Sequence, residues 1–292
     1  MVSGRAVIMA VALAGTAAAA PKDDPLLRPI ASERAASWLA PRAPEQVFGN
    51  TYLVGFGGLS VALIDTGAGL ILIDGAMPQG VPAILANVRT LGFDPKDIRY
   101  ILSTEPHFDH AGGIAALARD TGATVVASAR GAEGLRSGRL AADDPQRAYD
   151  HSFPAVAPGL AKMRAMRDGE VLRLGRTAIT ARATPGHTAG SMSWSWQSCE
   201  GAACKTLVFA SSLNPVSAEG YRFTSPAGQK VVAAFRRSHA AMRAMPCDIL
   251  ITAHADQDGA TERFLTRPSA CRAYAASSER ALARRLQKEA GQ

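Results

Sequence analysis

Aromatic residues make up only 6% of this 292-residue chain and charged residues only 20%, while apolar residues reach 47%. So little charge beside so much apolar surface excludes an intrinsically disordered chain and allows a sizeable core. The sequence lacks a Gly/Ser linker and a repeated motif, which favours one folded unit over a string of modules. No apolar run reaches the length of a membrane span: the longest, near the N-terminus, holds about eleven residues where about twenty are needed. Basic residues are not interleaved with aromatics, so nothing in the pattern points to nucleic-acid binding.

What is present begins with "MVSGRAVIMAVALAGTAAAA", one arginine before a short apolar run that ends in small residues. This is the layout of a secretory signal peptide, so residues 1–20 are expected to be removed and residues 21–292 to form the mature domain. Pro21 makes cleavage directly after Ala20 awkward. The formal charge of +7 falls to +6 once Arg5 leaves with the leader. Much of the excess lies in "SERALARRLQK", where Arg280, Arg284 and Arg285 read as a solvated helix face. In an exported chain the four cysteines are read first as bridges. Cys199 and Cys204 enclose only "EGAA" and suit a hairpin tip, whereas Cys247 and Cys271 would tie a last helix to the core. Three pairings are possible, and this is the preferred one; a four-thiolate zinc site lacks the usual paired short spacings.

Three apolar runs, "NTYLVGF", "LSVALIDT" and "GLILIDG", are separated by glycines and predict antiparallel strands. A helix over "VPAILANVRTLGF", a strand "RYILST", a helix in "AGGIAALARDTG" and a strand "ATVVAS" follow. Residues 135–161 show little periodicity and several prolines, which predicts a long surface segment. Strands resume at "EVLRLG", "TAITARAT", "SMSWSW" and "TLVFASS", before a helix in "GQKVVAAFRRSHAAMRAM" and the strand "DILITAH". Meandering strands interrupted by helices, in two similarly ordered halves, argue for two packed sheets with helices outside.

The chemistry concentrates in "TEPHFDHAGG". Glu105, His107 and Asp109 alternate along an extended segment and can share one side, with His110 at the turn into the next helix. Four such groups in six positions are costly to bury without a partner, and a divalent metal is one. His187 in "TPGHTAG" and His254 in "ITAHADQDG" also follow apolar strands, so strand ends could bring all of them to one rim. His151 and His239 fit this pattern less well and are read as structural or solvated. Ser103 and Ser212 lack the Gly-x-Ser-x-Gly elbow, which excludes a serine hydrolase of that kind.

On these residues the chain resembles the metallo-β-lactamase superfamily, whose loop reads His-x-His-x-Asp-His and is followed by distant single histidines. The resemblance spans roughly residues 45–290 and implies an α/β (α+β) fold, a four-layer αββα sandwich. Glyoxalase-, lactonase- and nuclease-type members carry a metal-bridging aspartate at the end of the strand that here reads "LVFASSLNPVS", where Ser211, Ser212, Leu213 and Asn214 stand instead. That feature, with His254 after "CDILITA", looks like the class B β-lactamases of subclass B3. The resemblance implies two zinc ions per chain: one on Glu105, His107 and His187, the other on Asp109, His110 and His254. It also implies that Ser212 and Asn214 meet the substrate carboxylate, that Asp109 helps orient a metal-bound hydroxide, and that the chain works in the periplasm as a monomer on small β-lactams. Another zinc hydrolase of the same fold, a lactonase or thioesterase, is the alternative.

Glu105 departs from the pattern, which has histidine there. A carboxylate oxygen can still bind zinc, but it brings the charge of the filled site to about +1 rather than about +2. The first metal is therefore expected to be held less tightly or less selectively. Trp38, Phe153, Val156 and Pro158 could wall the open side of such a site or serve as ordinary packing residues.

Overall fold

A computed structural model describes residues 23–257, 264, 266 and 270–291; the expected leader lies outside the described residues. Among the described residues seven strands form one sheet: β1 (Glu45–Phe48), β2 (Thr51–Leu53), β3 (Ala62–Asp65), β4 (Leu70–Ile73), β5 (Ile98–Leu102), β6 (Thr124–Ala127) and β7 (Met163–Ala165). They lie side by side in chain order, antiparallel through β4 and parallel from β4 to β7. The second sheet holds β8 (Val171–Leu174), β9 (Thr177–Ala183), β10 (Met192–Glu200), β11 (Ala203–Ala210) and β12 (Ile249–Thr252). Only β11 and β12, which are joined through a helix, run parallel there.

The helices are α1 (Ala35–Trp38), α2 (Val81–Thr90), α3 (Phe108–Ala111), α4 (Ile114–Thr121), α5 (Ala129–Ser137), α6 (Pro226–Ala244) and α7 (Ala270–Ala290). Period-two alternation explains why the central strands are apolar on both faces. Ile71 and Ile73 of β4 join Leu207 and Phe209 of β11 in the core between the sheets. Leu70 and Leu72 point the other way, toward Val81, Ile84 and Leu117 of α2 and α4. Val208 and Leu250 likewise face Met242 of α6 and Tyr274 of α7. Helix, sheet, sheet, helix is thus the expected four-layer order. The Trp196 indole N–H donates to Thr51 Oγ1 at 3.1 Å and crosses between the sheets.

Both cysteine pairs are bonded in the preferred way. Cys199–Cys204 closes the β10–β11 hairpin, and Cys247–Cys271 fastens α7 beside β12. Two expectations need correction. Residues 135–161 are not simply a surface segment: α5 enters them, and Leu140, Asp144, Phe153 and Val156 are buried. Their burial comes from scattered single residues, which leave no period to read. The α7 face is not wholly solvated either, because Arg285 donates to Glu289 Oε1, Ser217 Oγ and the Tyr221 carbonyl. Among the described residues no helix is long and apolar enough to cross a membrane.

The two bridges close loops of different length, so their contributions should differ. Replacing both Cys247 and Cys271 by Ser is expected to lower the unfolding free energy by about 3 kcal/mol, and replacing Cys199 and Cys204 by about 2 kcal/mol. Urea unfolding of the two double variants checks this, and equal losses would contradict the loop-length argument.

Candidate metal centre

The first part of the site is delivered by β5. Its last residues run into Ser103 and Thr104, and the chain then turns through Glu105-Pro106-His107 into the short helix α3, which carries Asp109 and His110. The turn is pinned from β4. Asp74 accepts the Thr104 backbone N–H at 2.7 Å and the Thr104 hydroxyl at 2.6 Å, both buried. Gly75 N–H donates to the His110 carbonyl at 2.8 Å. Gly113 is needed where these loops meet, since a Cβ there would lie 2.2 Å from the Gly75 carbonyl oxygen. His187 follows β9 through Gly186, whose φ of +145° and position against the Phe235 ring leave no room for a side chain. His254 follows β12, and residues 211–214 follow β11. Strand ends of both sheets therefore meet at one rim.

The six expected ligands are gathered as two groups, Glu105 with His107 and His187, and Asp109 with His110 and His254, all buried. In the first, His107 Nδ1 lies 3.2 Å from His187 Nε2, and Glu105 Oε1 lies 3.7 Å from the same nitrogen. In the second, His110 Nε2 is 3.0 Å from His254 Nε2, and Asp109 Oδ2 is 3.5 Å and 3.3 Å from these two atoms. Glu105 Oε1 is also 3.2 Å from His110 Nε2, so this oxygen stands between the groups. Its other oxygen accepts the Ser212 backbone N–H at 2.9 Å.

Electrostatics favour a cation here. Burial would raise the Asp109 carboxyl, but the neighbouring His110 and His254 hold it well below the usual carboxylate range. Burial likewise works against ionised Glu105, yet His110, His187 and His107 bring it below its ordinary value. His110 is pushed down to about 4, chiefly by burial, and burial lowers His187 as well. At neutral pH Glu105 and Asp109 are thus anionic and His110 and His187 neutral, which are ligand forms. Burial works against a protonated His107, but the carboxylates of Asp144, Glu105 and Asp109 bring that ring above its ordinary value. Glu105 Oε1 is buried and, among the described residues, accepts no hydrogen bond, although a buried carboxylate oxygen normally has a donor. An orphaned anionic oxygen among facing imidazole nitrogens fits a divalent cation at each group, and the N/O donor set suits zinc.

The backs of the expected ligands are also held. His187 Nδ1 meets the Asn214 carbonyl at 2.9 Å, and His110 Nδ1 lies 3.7 Å from Asp74 Oδ2. Burial pushes Asp74 well up, against its two hydrogen bonds from Thr104. His107 Nε2 meets Asp144 Oδ2 at 3.0 Å. Asp144 and Gln146, whose Nε2 is 3.1 Å from His187 Nε2, were missed by sequence reasoning. The only signal was a pair of acids beside Pro145 in a segment without periodicity.

The site floors a cavity of about 940 Å³ walled by Trp38, Phe108, Tyr149, His151, Asn214 and Gln257, among others. Trp38 stands over His254, ring centroids 5.2 Å apart, whereas Phe153 and Val156 belong to the core and Pro158 is exposed. His151 lines the cavity beside Phe108, and His239 is buried between α6 and α7 on Ser278. Asn214 faces the cavity; Ser212 is fully buried, and its hydroxyl accepts from Gln257.

With this fold and this centre, the chain belongs to the metallo-β-lactamase superfamily, whose family model matches residues 45–202. Within it the similarity is to subclass B3. A solved B3 metallo-β-lactamase with an active-site glutamic acid is 66% identical, with a TM-score of 0.89, over 92% of this chain and 99% of that one. The Rm3 metallo-β-lactamase is 41% identical, with a TM-score of 0.82, over 89% of this chain and 100% of that one. An uncharacterized protein of Bacillus subtilis, YobT, is 32% identical over 42% of this chain, which spans half of that protein's length.

Asp74 should matter to stability independently of any metal. Asp74→Ala strands two buried donors on Thr104 and is expected to cost about 2 kcal/mol or more, and Asp74→Asn less. Urea unfolding of chelator-treated protein measures both, and an alanine variant as stable as the parent would refute the pinning role.

Proposed function

We propose that the chain is an exported, zinc-dependent β-lactamase, which hydrolyses the four-membered amide of β-lactam antibiotics in the periplasm. The observation that carries this reading is the pair of three-residue groups, of which His107, His187, Asp109 and His254 line the cavity. Support comes from the absence of an aspartate at residues 211–214, where lactonase- and thioesterase-type relatives would need one, and from the B3 similarity. Residues 21–292 would form the mature enzyme, acting as a monomer on a small molecule.

Glu105, His107 and His187 would hold one zinc ion, and Asp109, His110 and His254 the other. When bound, zinc supplies Lewis acidity and brings the pKa of a water near 7. Asp109 stays ionised and can accept a hydrogen bond from the attacking water, which orients it toward the lactam carbonyl. Trp38, Phe108 and Tyr149 offer apolar surface to the bicyclic ring system and exclude water around it. Asn214 would meet the substrate carboxylate from the cavity wall, and Ser212, lying deeper, through water.

A chromogenic cephalosporin tests the function directly. The mature protein is expected to turn it over, to stop with a chelator and to recover with zinc. Inertness toward β-lactams with cleavage of a thioester or lactone would replace this reading by the alternative hydrolase, and no cleavage of any of these would leave a binding protein. Glu105 generates a second test. Because its Oε1 is shared between the groups, Glu105→His is expected to raise first-site zinc affinity by about tenfold, or about 1.4 kcal/mol. An unchanged affinity by chelator competition would overturn the weakening assigned to the carboxylate.

A further inference from the structure

We propose that Asp144 is a positioning residue of the first metal site, holding the His107 imidazole in the tautomer and orientation that turn its Nδ1 toward the cation. This rests on the two-metal reading above. A neutral imidazole carries one N–H, and the acceptor behind the ring decides which nitrogen has it. Asp144 Oδ2 lies 3.0 Å from His107 Nε2, so the proton belongs on Nε2 and the lone pair on Nδ1. Nδ1 is the atom that faces His187 Nε2 at 3.2 Å. His187 is oriented in the same sense by a neutral oxygen, the Asn214 carbonyl on its Nδ1. Among the described ligands, His107 is the one with a carboxylate at hydrogen-bond distance behind the ring. A carboxylate in that place also makes the ring a stronger donor.

Asp144 is itself fixed. Its side chain is only 2% exposed, and its Oδ1 accepts the Gln146 backbone N–H at 2.8 Å. The segment around it is anchored at both ends: Arg147 Nη1 donates to the Leu140 carbonyl at 2.6 Å, Ala218 N–H to the Pro145 carbonyl at 2.9 Å, and Tyr149 Oη to the Ser217 carbonyl at 2.9 Å. The rival account is that Asp144 merely caps this turn through Oδ1. The two accounts part at Asp144→Asn. An asparagine has a single side-chain oxygen, and if that oxygen keeps the turn, its NH₂ is left to face His107 Nε2. A donor there demands a lone pair on Nε2 and pushes the ring proton to Nδ1, against the metal.

Zinc binding, read by competition with a chromophoric chelator, separates them, with the first-site step assigned by its loss in His107→Ala. Asp144→Asn is expected to keep the parent's urea midpoint within a narrow margin but to lose about 10- to 100-fold in first-site affinity, while the second site is unmoved. The visible bands of the cobalt-loaded first site should shift with it. Asp144→Ala should show at least as large a loss of affinity, and the near-isosteric asparagine keeps the test valid if alanine does not fold. Two zinc ions held by Asp144→Asn with the parent's affinities would overturn the role of Asp144 alone. A parent protein that binds fewer than two would overturn the two-metal reading, and this role with it.

Discussion

Two carboxylates and four imidazoles stand at the rim of this fold in two groups, the facing atoms of each within 4.8 Å of one another and every residue buried. Such a cluster loses the hydration of its charged members and cannot recover it from within, because neutral imidazole nitrogens facing each other offer at most one N–H between two lone pairs. Glu105 Oε1, which accepts no hydrogen bond among the described residues, shows the deficit at a single atom. Cations resolve it, and the surrounding structure can be understood as what holds six desolvated polar groups in place until they are satisfied.

That holding is distributed across both sheets. From the first, Asp74 pins Thr104 and so fixes the turn that carries Glu105 and His107. From the second, the support runs through α7. The Cys247–Cys271 bridge fastens that helix beside β12, the Tyr274 hydroxyl donates to the Ser211 carbonyl and accepts the Leu213 N–H, and Ser278 bonds the Leu213 carbonyl. The loop thus immobilised presents the Ser212 N–H to Glu105 and the Asn214 carbonyl to His187. A bridge far from the rim therefore acts on Glu105 and His187 through fixed backbone, which is why the terminal helix belongs to the site as much as to the core.

The candidate cluster was legible in the sequence because the segment from Glu105 to His110, His187 and His254 all follow strands, and strand ends are readable from composition and turn residues; the division into two sets of three came from the resemblance to the superfamily motif. The layer order was legible for a similar reason, since strands apolar on both faces require cover on both sides. Asp144 and Gln146 were not. They lie in a segment whose burial depends on single side chains such as Leu140 and Phe153 reaching into the core, and contacts of that kind leave no period behind. The place of His151 on the cavity wall was not legible for the same cause: it is set by how that segment folds back over Phe108.

The position of Glu105 follows from what stands opposite it. In related hydrolases an aspartate at the end of the strand equivalent to β11 brings negative charge between the metals. Here that strand ends in serines, and Ser212 contributes a backbone N–H in place of a carboxylate. A histidine at position 105 would have no negative oxygen for this N–H to meet. A glutamate does, and with one oxygen so anchored the other is directed to the point between His110 and His187. The negative charge is thereby carried into the region between the two groups from β5 instead of β11. Glu105 and Ser212 are in this sense one feature, an anchored carboxylate, and neither residue accounts for the geometry without the other.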